Sequence, residues 1–405
     1  MISVNEARER ILQRIEVLDP LELAVTEAHG CVLAETVTAP EDLPAFPSSA
    51  MDGFALRSGD TSAAAQNPVS LTVTGEAAAG RPFAGRVASG EAVRIMTGAA
   101  IPEGADAVVA QEEVAVVGSS LAVGRVVKAG DNVRPAGEDV ARGEEVLQPG
   151  QRLRGMDIGA LAALGRSRVL VRPRPRTVVL STGDELREPG SDLGPGQIRD
   201  SNSFTIAGMA REAGSAPVRA GIIPDDPDVL RETFQSYLPQ ADVFISSGGV
   251  SVGDHDHVRD VLSQLGKVEF WKVSVKPGKP LAFGFIEGRP FFGLPGNPVA
   301  VAVTFELFVR PALLKMAGRR TLMRPQIDAA FQDDFRQRPG RETYLRVRAW
   351  RDAEGWKARL TGRQGSNIVS SVAKANALAV MPGHLSHLRP GDQVRLMLLE
   401  PLEGW

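Results

Sequence analysis

Three segments of this 405-residue chain combine small and polar residues in a way that suits an anion. They are Ser181-Thr182-Gly183-Asp184-Glu185, Ser246-Ser247-Gly248-Gly249-Val250-Ser251 and Leu294-Pro295-Gly296-Asn297-Pro298. Each follows a short apolar run that reads as a β-strand, and each leads into or lies near a helix start. Glycine lets backbone N–H groups come close to a ligand. Free N–H groups at a helix N-terminus favour negative charge, and Pro298 suits a first helical position. Together the turns point to a phosphate or another oxyanion. Lys276-Pro277-Gly278-Lys279-Pro280 adds two ammonium groups on a stiff turn, able to hold an oxyanion as point charges.

Acidic residues accompany these turns: Asp184, Glu185, Asp225, Asp226, Asp254 and Asp256. Carboxylates beside a phosphate are costly unless a divalent cation bridges them, and Mg²⁺ takes one or two carboxylates plus phosphate oxygens. Asp226 and Asp254 read first as helix caps. His255-Asp256-His257 invites a metal reading, but histidines on such a loop are read as structural or exposed, as are His384 and His387. The single cysteine, Cys31, excludes an internal disulfide framework and a multi-cysteine metal site. No HExxH, GxxxxGK[ST] or Ser–His–Asp pattern supports a zincin, P-loop or hydrolase reading.

The elements that must position these groups follow from the hydrophobic period. Residues 1–17 read as an amphipathic helix capped by Ser3, with Glu6 three residues on. From about Asp42 to Pro149 short β-like runs alternate with glycine-rich turns: Leu71–Thr74, Ala92–Met96, Ala107–Ala110 and Arg125–Val127. A short helix over 151–166 follows. From Arg176 to about Gly318 the order becomes strand, helix, strand. Strands are expected at Thr177–Ser181, Val218–Ile223, Val243–Ser246, Val268–Val275, Leu281–Phe285 and Phe291–Leu294. Helices are expected at Ser201–Ala213, Pro227–Leu238, Val258–Leu265 and from Asn297 onward. That order implies an open, mostly parallel sheet covered on both faces, with ligands outside the carboxyl ends of its strands. The last ~85 residues return to strands at Tyr344–Trp350, Trp356–Leu360, Ala377–Met381 and Gln393–Leu399, consistent with a small barrel or sandwich. The fold class is multidomain α/β plus β.

Composition narrows the function. Lys and Arg number 46 against 49 Asp and Glu, a net charge of −3 that gives no general attraction to nucleic acid or an anionic membrane. With 2 Tyr and 15 Phe, a base-stacking platform is not expected. No apolar run approaches a membrane span, and no signal-peptide pattern opens the chain. A cytoplasmic protein is expected.

Seven strings in one order carry a resemblance that covers essentially the whole chain. They are Ser49-Ala50-Met51-Asp52-Gly53-Phe54-Ala55, Arg94-Ile95-Met96-Thr97-Gly98-Ala99, Gly137-Glu138-Asp139, Ser181-Thr182-Gly183-Asp184-Glu185-Leu186, Ser247-Gly248-Gly249-Val250-Ser251-Val252-Gly253-Asp254, Lys276-Pro277-Gly278-Lys279-Pro280 and Leu294-Pro295-Gly296-Asn297-Pro298. The chain thereby resembles the molybdopterin molybdenumtransferases, the MoeA family that includes the gephyrin E domain. The resemblance implies an elongated, L-shaped subunit in four parts: residues 1–45 with 140–171, a β-rich insertion at 46–139, an α/β molybdopterin-binding domain at 172–322, and a C-terminal β domain at 323–405. It implies a homodimer with a composite cleft, in which adenylylated molybdopterin and molybdate react in a Mg²⁺-dependent step that releases AMP. Carried over by position, the reacting groups are Asp52, Thr97, Asp139, Glu185, Asp225 and Asp256, with Glu185 and Asp256 favoured for the metal. Gly183, Asp184, Ser247, Gly248, Gly249, Ser251, Lys276, Lys279, Pro295, Gly296, Asn297, Pro298, Arg346 and Ser366 would form the binding cleft. A molybdopterin adenylyltransferase and molybdoenzyme apoproteins are the candidate partners. Ala300 stands where many members carry serine, Ala377 replaces a frequent glycine, and the Asp254–His257 loop carries two unusual histidines. A molybdopterin adenylyltransferase and a gephyrin-like scaffold are the competing functions. The first would leave the two β-rich parts unexplained, and the second would not require Asp52, Glu185 and Asp256.

Overall fold

The computed structural model describes residues 1–248, 261 and 264–400. The expected helix at Val258–Leu265 therefore lies largely outside the described residues. The chain forms two compact units, one of residues 1–34, 150–154 and 169–405, the other of 35–149 and 155–168.

Helix α1 spans Val4–Arg14, with Ser3 Oγ accepting from the Glu6 N–H at 3.1 Å and Val4, Ala7 and Ile11 buried. It stops three residues short of expectation. Ile15 turns extended (φ −84°, ψ 125°) and the Leu18 N–H donates to the Met316 carbonyl, so the apolar residues beyond Arg14 reach the core from an extended chain.

The second unit is built on a curled six-stranded sheet of β1 (Gly53–Leu56), β2 (Val69–Ala77), β3 (Glu91–Ile95), β4 (Ala107–Ala110), β5 (Val114–Val117) and β6 (Ser120–Val123), in the order β4-β1-β3-β2-β6-β5. Residues Arg125–Val127 form no strand. The Val127 N–H is taken by the buried Thr61 hydroxyl at 2.9 Å and so cannot join a ladder, and the Arg125 guanidinium is held by Glu113 and Asp131. Central strand β1 packs Phe54 and Leu56 into one apolar cluster and Ala55 into another. Helix α2 (Gly155–Ala163) also belongs to this unit.

In the first unit the α/β sheet comprises β7 (Arg176–Thr182), β8 (Ala216–Ile223), β9 (Val243–Ser247), β10 (Gly266–Lys272), β11 (Pro280–Ile286) and β12 (Arg289–Leu294), ordered β8-β7-β9-β12-β11-β10. The first four strands are parallel and the last two antiparallel. Pairing of Ser181 with Ser247, and of Ser247 with Leu294, ends three parallel strands at one level. Helix α3 (Asn202–Glu212) shares one apolar layer with α1 and with α5 (Pro298–Thr304), which runs on through Phe305–Val309 into α6 (Arg310–Met316). Helix α4 (Pro227–Tyr237) covers the other face through Leu230 and Phe234, whose ring meets Phe244 edge-on at 5.2 Å.

The C-terminal strands close into a barrel. Strands β13 (Gln326–Phe331), β14 (Glu342–Asp352), β15 (Gly355–Leu360), β16 (Ala377–Met381) and β17 (Gln393–Leu398) pair in the ring β14-β15-β13-β17-β16-β14 around Phe331, Leu345, Val347 and Leu396. Strand β13 is additional to the four expected. Val275 and Lys276 pair in parallel with Glu342 and Thr343 at the start of β14, tying the lysine turn to the barrel. No helix among the described residues is long and apolar enough to cross a membrane.

A methyl group at Gly53 would lie 2.0 Å from the Val109 carbonyl oxygen, a backbone atom that cannot move aside. Gly53→Ala is expected to destabilise the protein by about 2 kcal/mol through overpacking, read as a lowered urea midpoint with unchanged slope.

Candidate functional site

The lysine turn, the end of β12 and the barrel enclose a cavity of about 730 Å³. Seven expected residues besides Gly248 stand in its wall: Lys276, Lys279, Pro295, Gly296, Asn297, Arg346 and Ser366. Sequence reasoning missed Arg336, Arg341, Thr343 and Gln364, which also line it. Among the described residues the lining thus presents five cationic side chains and no carboxylate. Arg336 and Arg341 stand on barrel segments far along the chain from the glycine turns, and nothing local in the sequence sets them apart from solvated arginines.

Arg346 is the group with the fewest alternatives. It is only 1% exposed, on β14. Its Nε donates to Ser371 Oγ (3.1 Å), and its two terminal nitrogens donate to the carbonyls of Tyr344 (3.4 Å) and Gly365 (3.1 Å). All three acceptors are neutral, and two of the five guanidinium N–H groups remain for something else. With no carboxylate to offset its burial, its pKa falls to about 10. A buried cation held by dipoles alone is costly unless an anion joins it. Ala300, without a hydroxyl, also faces the cavity.

The sheet edge arranges the remaining expected groups around this cavity. Gly248 has φ +90°, and a Cβ there would meet the Thr182 carbonyl oxygen at 2.7 Å, so only glycine lets the two strand ends come together. Ser247 is buried and accepts from Asn202 Nδ2 at 2.8 Å. Gly183 has φ +144°, and the Glu185 carboxylate folds against it, 2.6 Å from where a Cβ would stand. Its turn runs first into Leu186–Arg187, paired with Ile198–Arg199, rather than directly into a helix; the strand end still lies near the start of α3, because Ser181 Oγ donates to Asp200 Oδ1, which also accepts from the Ser203 N–H. Asn297 occupies the N-cap position of α5 and Pro298 its first turn; Pro298 itself does not line the cavity. Asp184, Glu185 and Asp225 sit beyond β7 and β8 at the same edge, outside the cavity wall. Asp226 caps α4, accepting from the N–H groups of Asp228 and Val229. Gly249, Ser251, Asp254, His255, Asp256 and His257 lie outside the described residues, and among the described residues no three His, Cys, Asp or Glu side chains group as a metal site. His387 is structural, with Nε2 2.7 Å from the Asp334 carboxylate, and Cys31 is buried.

In the other unit, Asp52 and Thr97 meet although 45 positions separate them. The Thr97 N–H and hydroxyl both donate to Asp52 Oδ1, at 2.7 and 2.8 Å. These bonds, the backbone one first, hold the exposed Asp52 carboxyl below its ordinary value. Asp139 is exposed on a separate turn, its N–H donating to the Leu43 carbonyl.

Three family models match in series: MoeA N-terminal region (domains I and II) over residues 2–165, a probable molybdopterin binding domain over 178–315, and MoeA C-terminal region (domain IV) over 328–399. A molybdopterin molybdenumtransferase of Haemophilus influenzae is 36% identical, with all of both chains covered. The chain belongs to the MoeA family. Molybdopterin molybdenumtransferase 2 of Mycobacterium tuberculosis is 37% identical, covering 98% of this chain and 99% of its own. A solved structure of the molybdopterin biosynthesis MoeA protein of Pyrococcus horikoshii superposes with a TM-score of 0.79 at 32% identity, covering 98% of this chain and all of the other. Another from this source covers both chains fully, with a TM-score of 0.85 at 30% identity. MoeA membership thus covers the fold of both units, and the cavity falls where the molybdopterin-binding match and the domain IV match adjoin.

Because bonds from Thr97 lower the Asp52 pKa, Thr97→Val should raise it part of the way to the ordinary value, the backbone bond remaining. A carboxyl ¹³C titration checks this, and an unmoved titration curve would break the assignment.

Proposed function

We infer that this chain is a molybdopterin molybdenumtransferase, carrying out the last step of molybdenum cofactor biosynthesis. The observation that carries the reading is the cavity whose described lining holds five cationic side chains and no carboxylate, at the carboxyl edge of the molybdopterin-binding sheet. Molybdate is a tetrahedral dianion, and the pterin substrate carries phosphate. Lys276 and Lys279 supply point charges, Arg346 its two remaining N–H groups, and Ser366 a hydroxyl. The neutral acceptors around Arg346 hold its guanidinium plane in place, so an oxyanion meets a donor fork already oriented.

In the finer reading the substrate is adenylylated molybdopterin, and insertion releases AMP. Glu185 and Asp225 are hard oxygen donors beside the glycine turns, a type that suits Mg²⁺ bound through one or two carboxylates and phosphate oxygens. With Asp256, Glu185 would hold that ion, which would supply charge neutralisation at the anhydride. Gly183, Gly248 and Gly249 would leave room for the phosphate, with Asp184 and Ser251 beside them. We further propose a cytoplasmic homodimer in which Asp52, Thr97 and Asp139 of one subunit complete the site of the other. A molybdopterin adenylyltransferase would supply the substrate and molybdoenzyme apoproteins would accept the product.

Purified protein with adenylylated molybdopterin, Mg²⁺ and molybdate is expected to release AMP in proportion to molybdenum-loaded pterin. Pterin binding without molybdate-dependent AMP release would instead favour a carrier or scaffold. Glu185→Ala is expected to abolish release while the protein stays folded, and full activity would remove Glu185 from the mechanism. Arg346→Lys keeps a charge but loses the fork. It is expected to weaken molybdate binding by about 10-fold or more, measured by calorimetric titration with molybdate alone, and unchanged affinity would remove Arg346 from the anion site.

A further inference from the structure

Asn202, at the start of α3, touches both glycine turns that flank the cavity. Its Nδ2 donates to Ser247 Oγ at 2.8 Å and to the Gly296 carbonyl at 2.7 Å. The two acceptors lie 45 and 94 positions away in sequence. The amide orientation is set by this pair, because the flipped form would place two carbonyl oxygens 2.7 Å apart at Gly296. Both amide protons are therefore used. Asn202 Oδ1, on the other side, is buried and has no hydrogen-bond partner among the described residues.

The consequence falls on Ser247. A hydroxyl that accepts from Asn202 keeps its own proton for another acceptor. Ser247 is 3% exposed, and its hydroxyl proton meets no acceptor among the described residues, while the next residue, Gly248, lines the cavity. We propose that Asn202 is a positioning residue: it fixes the Ser247 hydroxyl as a donor toward an anionic oxygen of the bound substrate and holds the Gly296 turn in register with it. The proposal rests on the molybdenumtransferase reading for the identity of that substrate. It assigns Ser247 the role of donor, and it explains why an amide stands at position 202. An aspartate there would accept the Ser247 proton and repel the Gly296 carbonyl.

The test is a double-mutant comparison of Asn202→Asp, Ser247→Ala and the double variant. Affinity for adenylylated molybdopterin is measured by calorimetry, with thermal midpoints alongside. Each single variant is expected to bind about 30-fold more weakly, the loss of one donor to a charged group. In the Ser247→Ala background the effect of Asn202→Asp should shrink by about 10-fold, because most of it acts through the missing hydroxyl. Losses that simply multiply, or an Asn202→Asp protein that binds as tightly as the wild type, overturn the proposal. If Asn202→Asp folds poorly, Asn202→Ala serves in the same cycle, with a loss of about 5-fold and the same non-additivity. Wild-type AMP release, assayed in parallel, separates the two claims. Tight pterin binding without AMP release sinks the insertase reading and leaves the cycle decisive for Asn202. No pterin binding by the wild type overturns both.

Discussion

An arginine buried without a carboxylate is the constraint around which the first unit is arranged. Among the described residues Arg346 has no anionic partner, and its guanidinium is held by a serine and two backbone carbonyls. Those carbonyls come from its own strand and from the Gly365 turn, so closing the barrel and placing the charge are one event. Parallel pairing of Val275–Lys276 with Glu342–Thr343 then brings the lysine turn to the same cavity. The desolvation cost of Arg346 is carried by the barrel's apolar interior, where Phe331, Leu345, Val347 and Leu396 pack. What remains on the cavity side is unspent donor capacity.

The α/β sheet meets this charge with backbone rather than with side chains. Its parallel strands end at one level, and the turns beyond them carry glycine where a Cβ would strike the neighbouring chain, as at Gly248 against Thr182. Among the described residues acidic groups are kept off the cavity wall, at Glu185 and Asp225 on the same edge. Cationic side chains thus line the cavity while these carboxylates stand apart along the sheet edge, the separation that the proposed anion and Mg²⁺ sites would use.

Local chemistry was legible in the sequence and long-range chemistry was not. The glycine turns, the lysine pair and the Ser3 and Asp226 caps depend on residues a few positions apart, and the structure places them as their spacing implies. Arg336 and Arg341 were invisible because a charged residue between short strands looks the same whether it meets water or a cavity. Asn202 was invisible for a related reason: its two partners lie far along the chain and become neighbours only when three strands are in register. Arg125–Val127 misled because a β-branched run says nothing about a buried threonine 66 residues away that claims its N–H group. Glu185 could be placed beside its turn, but that the carboxylate folds back over Gly183 follows only from the left-handed backbone there.

A cavity that attracts by net charge and a donor fork does not tell one tetrahedral dianion from another. Sulfate offers the same charge and a similar shape, so on the proposed reading it should enter the same place and compete for Lys276, Lys279 and Arg346. Ala300 lacks the hydroxyl that would add one more directional contact, and polar groups of the wall such as Thr343, Gln364 and Ser366 offer sulfate what they offer molybdate. Discrimination between the two must then come from chemistry: only an oxyanion whose central atom can accept the sulfur ligands of the pterin goes on to product, and the rest leave as they came.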